Sequence, residues 1–189
     1  MPLQTSLNKQ EATYIVGVLY TGSLPERPSF NDTVLTPVSE KWKGKCETGP
    51  EFPAAGSIVK NAAVFEYAVW EAEGMAIRAW IAVYKICWSS GCYDSHILAA
   101  MDQAVADGVD VISLSVGANG YAPRYDQDSI AIRAFGAMER GMLVSCSSGN
   151  SGPGPYTAVN IAPWREFPSD VILGVGGFWA AFHCILVSH

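Results

Sequence analysis

Two hydrophobic periods alternate along this chain. Tyr14-Ile-Val-Gly-Val-Leu19 is a short Val- and Ile-rich run that stops at Thr21-Gly22. Its length and composition predict a buried strand. Residues 24–49 break the pattern with Pro25, Pro28, Pro37 and many polar positions, and read as loop. Ala76 to Trp88 fits helix and strand alike by pattern, although Trp80-Ile-Ala-Val-Tyr84 has strand composition. Asp94-Ser95 then offers an N-cap to a segment with Ile97, Leu98, Met101, Ala104 and Val105 on one helical face, closed by Asp107-Gly108. A strand is expected over Val109–Leu114. Asp128-Ser129 starts a second helix with Ile130, Ala134, Phe135 and Met138 on its face and Gly141 at its end. Met142–Cys146 reads as one more strand, running into the turn Ser148-Gly-Asn-Ser-Gly-Pro153.

Strands alternating with helices at this spacing predict an α/β fold, a parallel sheet with helices on both faces. In open sheets of this kind, ligands sit beyond the carboxyl ends of the strands. Tyr20, Ser115 to Gly117, and Gly149-Asn150 all follow expected strands, so chemistry is sought there.

Composition narrows the classes. The 189 residues suit one domain, are 49% hydrophobic and only 16% charged, which excludes disorder by composition. A net charge of −6 argues against binding to nucleic-acid phosphates or anionic membrane surfaces. No apolar window approaches the roughly 18 residues needed to span a bilayer. Met1 to Asn8 lacks the basic start and apolar run of a signal peptide. The five cysteines are an odd count and leave the redox compartment open. Cys87 and Cys92 bracket W-S-S-G, and both a local disulfide and a pair of reduced thiols fit that spacing. No metal site and no cofactor are expected, and the oligomeric state is left open.

Four passages carry a family resemblance. They are Ile15-Val-Gly-Val-Leu-Tyr-Thr-Gly22 with Pro25-Glu-Arg-Pro-Ser-Phe30 and Trp42-Lys-Gly-Lys-Cys46; Ile97-Leu-Ala-Ala-Met-Asp102 with Gly108-Val-Asp-Val-Ile-Ser-Leu-Ser115; Asp128-Ser-Ile-Ala-Ile132; and Ser148-Gly-Asn-Ser-Gly-Pro153 through Asn160-Ile-Ala-Pro-Trp164. In these the chain resembles plant-type subtilisin-like serine proteases of the cucumisin-like group, over the amino-terminal part of their catalytic domain. The resemblance implies acyl transfer, in which a Ser attacks the carbonyl, a His takes its proton and an Asp orients and offsets the imidazolium. It also implies an extended peptide or protein substrate and an extracellular address.

Against that pattern the chain is incomplete. Tyr20 stands where the family has the triad Asp, and a neutral phenol cannot offset an imidazolium. The passage from Ala54 to Ala55 omits the segment that carries the triad His and the expected partner of Cys46. His96 falls in a helix start, and His183 and His189 lie in the tail. The nucleophilic Ser belongs in a G-T-S-M passage beyond the last matched residue, and no G-x-S-x-G elbow replaces it. Ser23, Ser115, Ser148 and Ser151 read as turn residues. Asn150 matches the family's oxyanion-hole Asn, whose amide N–H faces developing negative charge. Ser113, Leu114, Ser115, Val116 and Gly117, with Ser148 and Gly149, match the segments that pair with an extended substrate and wall its pockets. Trp70, Trp80 and Arg133 depart from the residues that relatives usually carry there. A new Trp in a packed interior typically costs about 1–3 kcal/mol.

The expected organisation is therefore a partial catalytic domain over 1–174, with one internal deletion near 54/55 and another near 164/165, and an unmatched tail over 175–189. Three readings follow. The chain is a catalytically incomplete fragment of a serine endopeptidase, a noncatalytic peptide- or protein-binding module, or the non-folding product of a faulty gene model.

Overall fold

A computed structural model describes residues 14–21, 37–45, 59–64, 67–72 and 79–164. Their elements are β1 (Ile15–Tyr20), β2 (Val59–Val64), β3 (Tyr67–Ala72), β4 (Trp80–Lys85), β5 (Cys87–Trp88), β6 (Gly91–Cys92), α1 (Asp94–Asp107), β7 (Val111–Leu114), α2 (Ser129–Met138) and β8 (Leu143–Cys146). The main sheet has the order β4-β1-β7-β8, and all three pairings are parallel. The parallel α/β architecture expected from the alternation of periods is thus present. β2 and β3 form a separate antiparallel hairpin whose register shifts twice. No strand was expected from the sequence over 59–72, because Ala, Asn, Lys and Glu blur its alternation.

Strand alternation sorts the sheet's side chains. Ile15, Leu19, Ala82, Ile112, Leu114, Val144 and Cys146 join the core with Ile97, Met101 and Ala104 of α1 and Ile130, Ala134 and Ala137 of α2. The two helices pack on each other, α1 over β1 and β4 and α2 over β8. Val18, Ser113 and Ser145 lie in register on the opposite face. Burial of this apolar set supplies the main driving force, at about 25 cal/mol per Å² removed from water.

Two helix readings need correction. The N-cap of α1 is Tyr93, with no side-chain cap bond; Asp94 sits inside the first turn, where a negative charge favours the helix dipole. Gly108 does end α1, in the left-handed conformation at φ 81°. In α2 the buried residues are Ile130, Ala131, Ala134 and Ala137, whereas Phe135 is 41% exposed and Met138 is exposed as well. The alanines let the α2 backbone approach α1 and the sheet, which a Phe at that surface would prevent. Phe135 instead meets the Trp164 ring edge-on at 5.4 Å, and Trp164 Nε1 donates to Ala131 O at 2.9 Å. Asp128 caps α2 as its sequence position implies, accepting from the backbone N–H of Ile130 and Ala131 at 3.0 and 3.1 Å. Arg133 bridges from α2 to Asp102 on α1 at 3.1 Å, an exposed pair that contributes little.

The end of the sheet opposite the candidate site is tied by carboxylates. Asp110 accepts from Ile15 N at 2.8 Å and pairs with Lys41. Buried Asp107 accepts from Tyr84 OH at 2.8 Å and from Gln103 Nε2 at 2.7 Å. Burial, then the hydrogen bond and charge of Asp107, push the Tyr84 hydroxyl above the ordinary tyrosine range. Trp80 is half-buried beside Val38 and Trp42, and its Nε1 is buried without a hydrogen-bond partner. An unpaired buried donor costs about 1–3 kcal/mol, so Trp80 is a poor fit to its surroundings.

Candidate functional site

Parallel strands put their carboxyl ends on one edge of the sheet. Leu19 pairs with Leu114, and Leu114 with Cys146. The residues that follow, Tyr20, Ser115 and Ser147, therefore emerge side by side. Tyr20 is 41% exposed, and its carbonyl accepts from Ile86 N at 3.0 Å, which leaves the phenol at the rim.

The substrate-binding residues read from the sequence divide into two groups. Ser113 and Leu114 are buried, Leu114 in the core. β7 lies between β1 and β8 and is paired on both sides, so it is an interior strand and its main chain is not an open edge for a peptide. Ser115 and Val116 are half-buried and Gly117 is exposed, beyond the end of the strand. Ser148 and Gly149 are half-buried, and Asn150 is exposed in the turn that follows β8. Gly149 has φ 87°, a backbone conformation that side chains resist.

The two post-strand loops are joined by a residue that the pattern of candidate motifs does not single out. Asn160 is 2% exposed and has φ 55°. Its Nδ2 donates to Val116 O at 2.9 Å and to Ser147 O at 2.8 Å. Val159 N donates to Ser148 O at 3.0 Å, and Ser147 N donates to Leu114 O at 3.0 Å. The signal in the sequence was a lone amide in the apolar run Val159-Asn-Ile-Ala162. Buried amides of this kind are held by hydrogen bonds.

Beyond β4 the chain turns through the β5–β6 hairpin, where Cys87 and Cys92 are disulfide-linked with Cα atoms 4.3 Å apart. His96 packs its ring 4.6 Å from Trp88 and 5.6 Å from Tyr93. It is the sole histidine among the described residues, and it belongs to this exposed aromatic cluster. Among the described residues no group of three or more His, Cys, Asp or Glu side chains could hold a metal ion. Nor is any described helix long and apolar enough to cross a membrane. The joins at 54/55 and 164/165, Ser23, Cys46, His183, His189 and the tail lie outside the described residues, as does the Trp70 side chain.

The chain is 49% identical over 221 residues to subtilisin-like protease SBT1.4 of Arabidopsis thaliana, a match that covers 86% of this chain and 28% of that protein. It is 41% identical over 211 residues to the CO(2)-response secreted protease of the same plant, covering 85% and 27%. Among solved structures, the epidermin leader peptide processing serine protease of Staphylococcus aureus is 16% identical with a TM-score of 0.47, covering 76% of this chain and 38% of that one. The chain thus spans little more than a quarter of the length of the curated relatives it matches. The model of the subtilase family matches residues 12–176, and with that match this chain belongs to the subtilase family.

Proposed function

We propose that this chain is a catalytically incomplete version of the amino-terminal part of a subtilase catalytic domain, which by family belongs to serine endopeptidases. In this reading the rim formed by Ser115 to Gly117 and by Ser148 to Asn150 holds an extended peptide that the chain itself does not cut. The observation that carries it is Tyr20 at the carboxyl end of β1, where the family pattern has the triad Asp. A phenol there provides no carboxylate to orient a histidine and offset its charge. His96 is engaged with Trp88 and Tyr93 and offers no alternative base. Asn150, at the oxyanion position, is exposed at the same rim, and without a triad carboxylate and histidine to activate an attack its amide has no oxyanion to stabilise.

Two further features support the reading. The match to the Arabidopsis relative runs over 221 residues yet occupies 86% of this 189-residue chain. That difference fits internal segments lost near 54/55 and 164/165, the first of them the place of the triad His. The Cys87–Cys92 bond suits an oxidising compartment, and one relative is named a secreted protease, so we assign the protein to the extracellular space.

The test has three arms on the purified chain. A cooperative melt by circular dichroism is expected, and its absence would leave only the reading as a non-folding product. A fluorophosphonate probe should label no serine above a heat-killed control, and no fluorogenic peptide should be cleaved. Labelling or turnover would overturn the incomplete-enzyme reading. Anisotropy of a fluorescent extended peptide should report saturable binding, which separates a peptide-holding chain from an inert one.

A further inference from the structure

We infer that Asn160 is a positioning residue that clamps together the two walls of the peptide-holding rim. This rests on the reading of 115–117 and 148–150 as those walls. The two walls come from different strands, β7 and β8, and beyond Leu114 and Cys146 the sheet pairing no longer holds them in register. The Asn160 carboxamide takes over at that point. One Nδ2 nitrogen carries two hydrogens and gives one to Val116 O in the first wall at 2.9 Å and the other to Ser147 O, immediately before the second wall, at 2.8 Å. Val159 adds a backbone bond to Ser148 O.

Steric fit reinforces the hydrogen bonds. A Cβ added at Gly117 would lie 2.7 Å from Asn160 Nδ2 and 2.9 Å from Val159 Cγ2, and one at Gly149 would lie 2.9 Å from the same Val159 methyl. Both walls thus present a glycine to the 159–160 segment, and close approach is possible because neither has a side chain there. Asn160 adopts left-handed backbone at φ 55°, which Asn tolerates better than most residues. Its burial makes the two donors costly to leave unpaired. The amide therefore fixes the spacing between the segment that aligns a peptide and the turn that carries Asn150, while touching no peptide itself.

Hydrogen–deuterium exchange by mass spectrometry on the full chain tests this. Asn160→Asp keeps the shape of the side chain but replaces the donor nitrogen with oxygen. Asn160→Gly keeps the left-handed backbone and removes the amide. Each is expected to raise exchange about tenfold or more in peptides covering both 115–118 and 147–150, a loss of the size expected for hydrogen bonds of this kind. Peptides from 97–105 in α1 should exchange as in wild type, and affinity for the fluorescent peptide should fall by a similar factor. Exchange that rises in one wall only, in neither, or equally in α1 overturns the clamp. Gly117→Ala displaces the amide without deleting it and must give the same two-wall pattern; unchanged exchange in that variant also overturns it. A wild-type chain that binds no peptide refutes the groove reading, while the exchange pattern still decides the clamp.

Discussion

Removing one oxygen atom from the Tyr84 side chain probes the polar tie beneath the sheet. Tyr84→Phe keeps the ring, which packs across Gly17 of β1; a Cβ at Gly17 would already lie 3.3 Å from Tyr84 Cε2. What is lost is the 2.8 Å donation to Asp107, a carboxylate only 6% exposed, which keeps its 2.7 Å bond from Gln103. A hydrogen bond to a charged group contributes about 1.5–3 kcal/mol. With Gln103 still in place, the lower half of that range is expected, about 2 kcal/mol at pH 7. The pH dependence has a definite sign. The folded state raises the Tyr84 pKa, burial being the main cause and Asp107 the second. Stability from the neutral phenol is therefore complete below the unfolded value of about 10 and is lost as pH rises above it. The difference between wild type and Tyr84→Phe should be flat from pH 7 to 9. Above pH 10 it should shrink by at most about 1.4 kcal/mol per pH unit, and by less than that because the half-buried ring retains solvent screening. Urea denaturation of both proteins at pH 7, 9, 10.5 and 11 measures this, and the other tyrosines cancel in the comparison. A gap below about 0.5 kcal/mol at pH 7 would make the bond worth less than any charged hydrogen bond, and a gap constant to pH 11 would mean that folding does not raise the Tyr84 pKa; either would refute the reasoning.

Three further outcomes are expected. Asp128→Ala removes the acceptor for two backbone N–H groups at the start of α2 and should lower stability by about 1 kcal/mol in urea, with Asp128→Asn recovering most of it. Gly108→Ala places a Cβ 2.8 Å from Lys41 O at φ 81° and should cost at least about 1 kcal/mol; a neutral result would mean that the Lys41 segment yields freely. Asp126 accepts from Arg124, whose guanidinium is the main cause holding its carboxyl below the ordinary range. Arg124→Gln should move its NMR titration upward toward an ordinary aspartate, and an unmoved curve would remove Arg124 as the cause.

How far the chain could be read from its residues depended on the range of the interactions involved. Local chemistry was legible: short apolar runs became β1, β7 and β8, the composition of Trp80–Tyr84 tipped an ambiguous pattern to β4, Asp128 capped α2 and Gly108 ended α1. Each of these follows from the residue itself and its neighbours within a turn or so. The family resemblance was equally legible, because it rests on short contiguous passages. Contacts between distant segments were less so. The inward face of α2 shifted from Phe135 and Met138 to Ala131 and Ala137 because a second helix approaches there, and helical periodicity alone does not say how close a neighbour will come.

The rim shows the same division. Sequence order placed Tyr20, Ser115 to Gly117 and Asn150 just after strands, and hence at the carboxyl edge of a parallel sheet. It could not show that Ser113 and Leu114 are interior because β7 has a partner on either side, nor that Trp80 leaves a donor buried and unpaired. Nor could it show Asn160, forty-four positions from Val116 in the chain, reaching both walls with one amide. Strand and cap preferences are set by bonds between near neighbours and are written in the residues. Burial, and the partner that a buried amide finds, are decided only when distant segments meet.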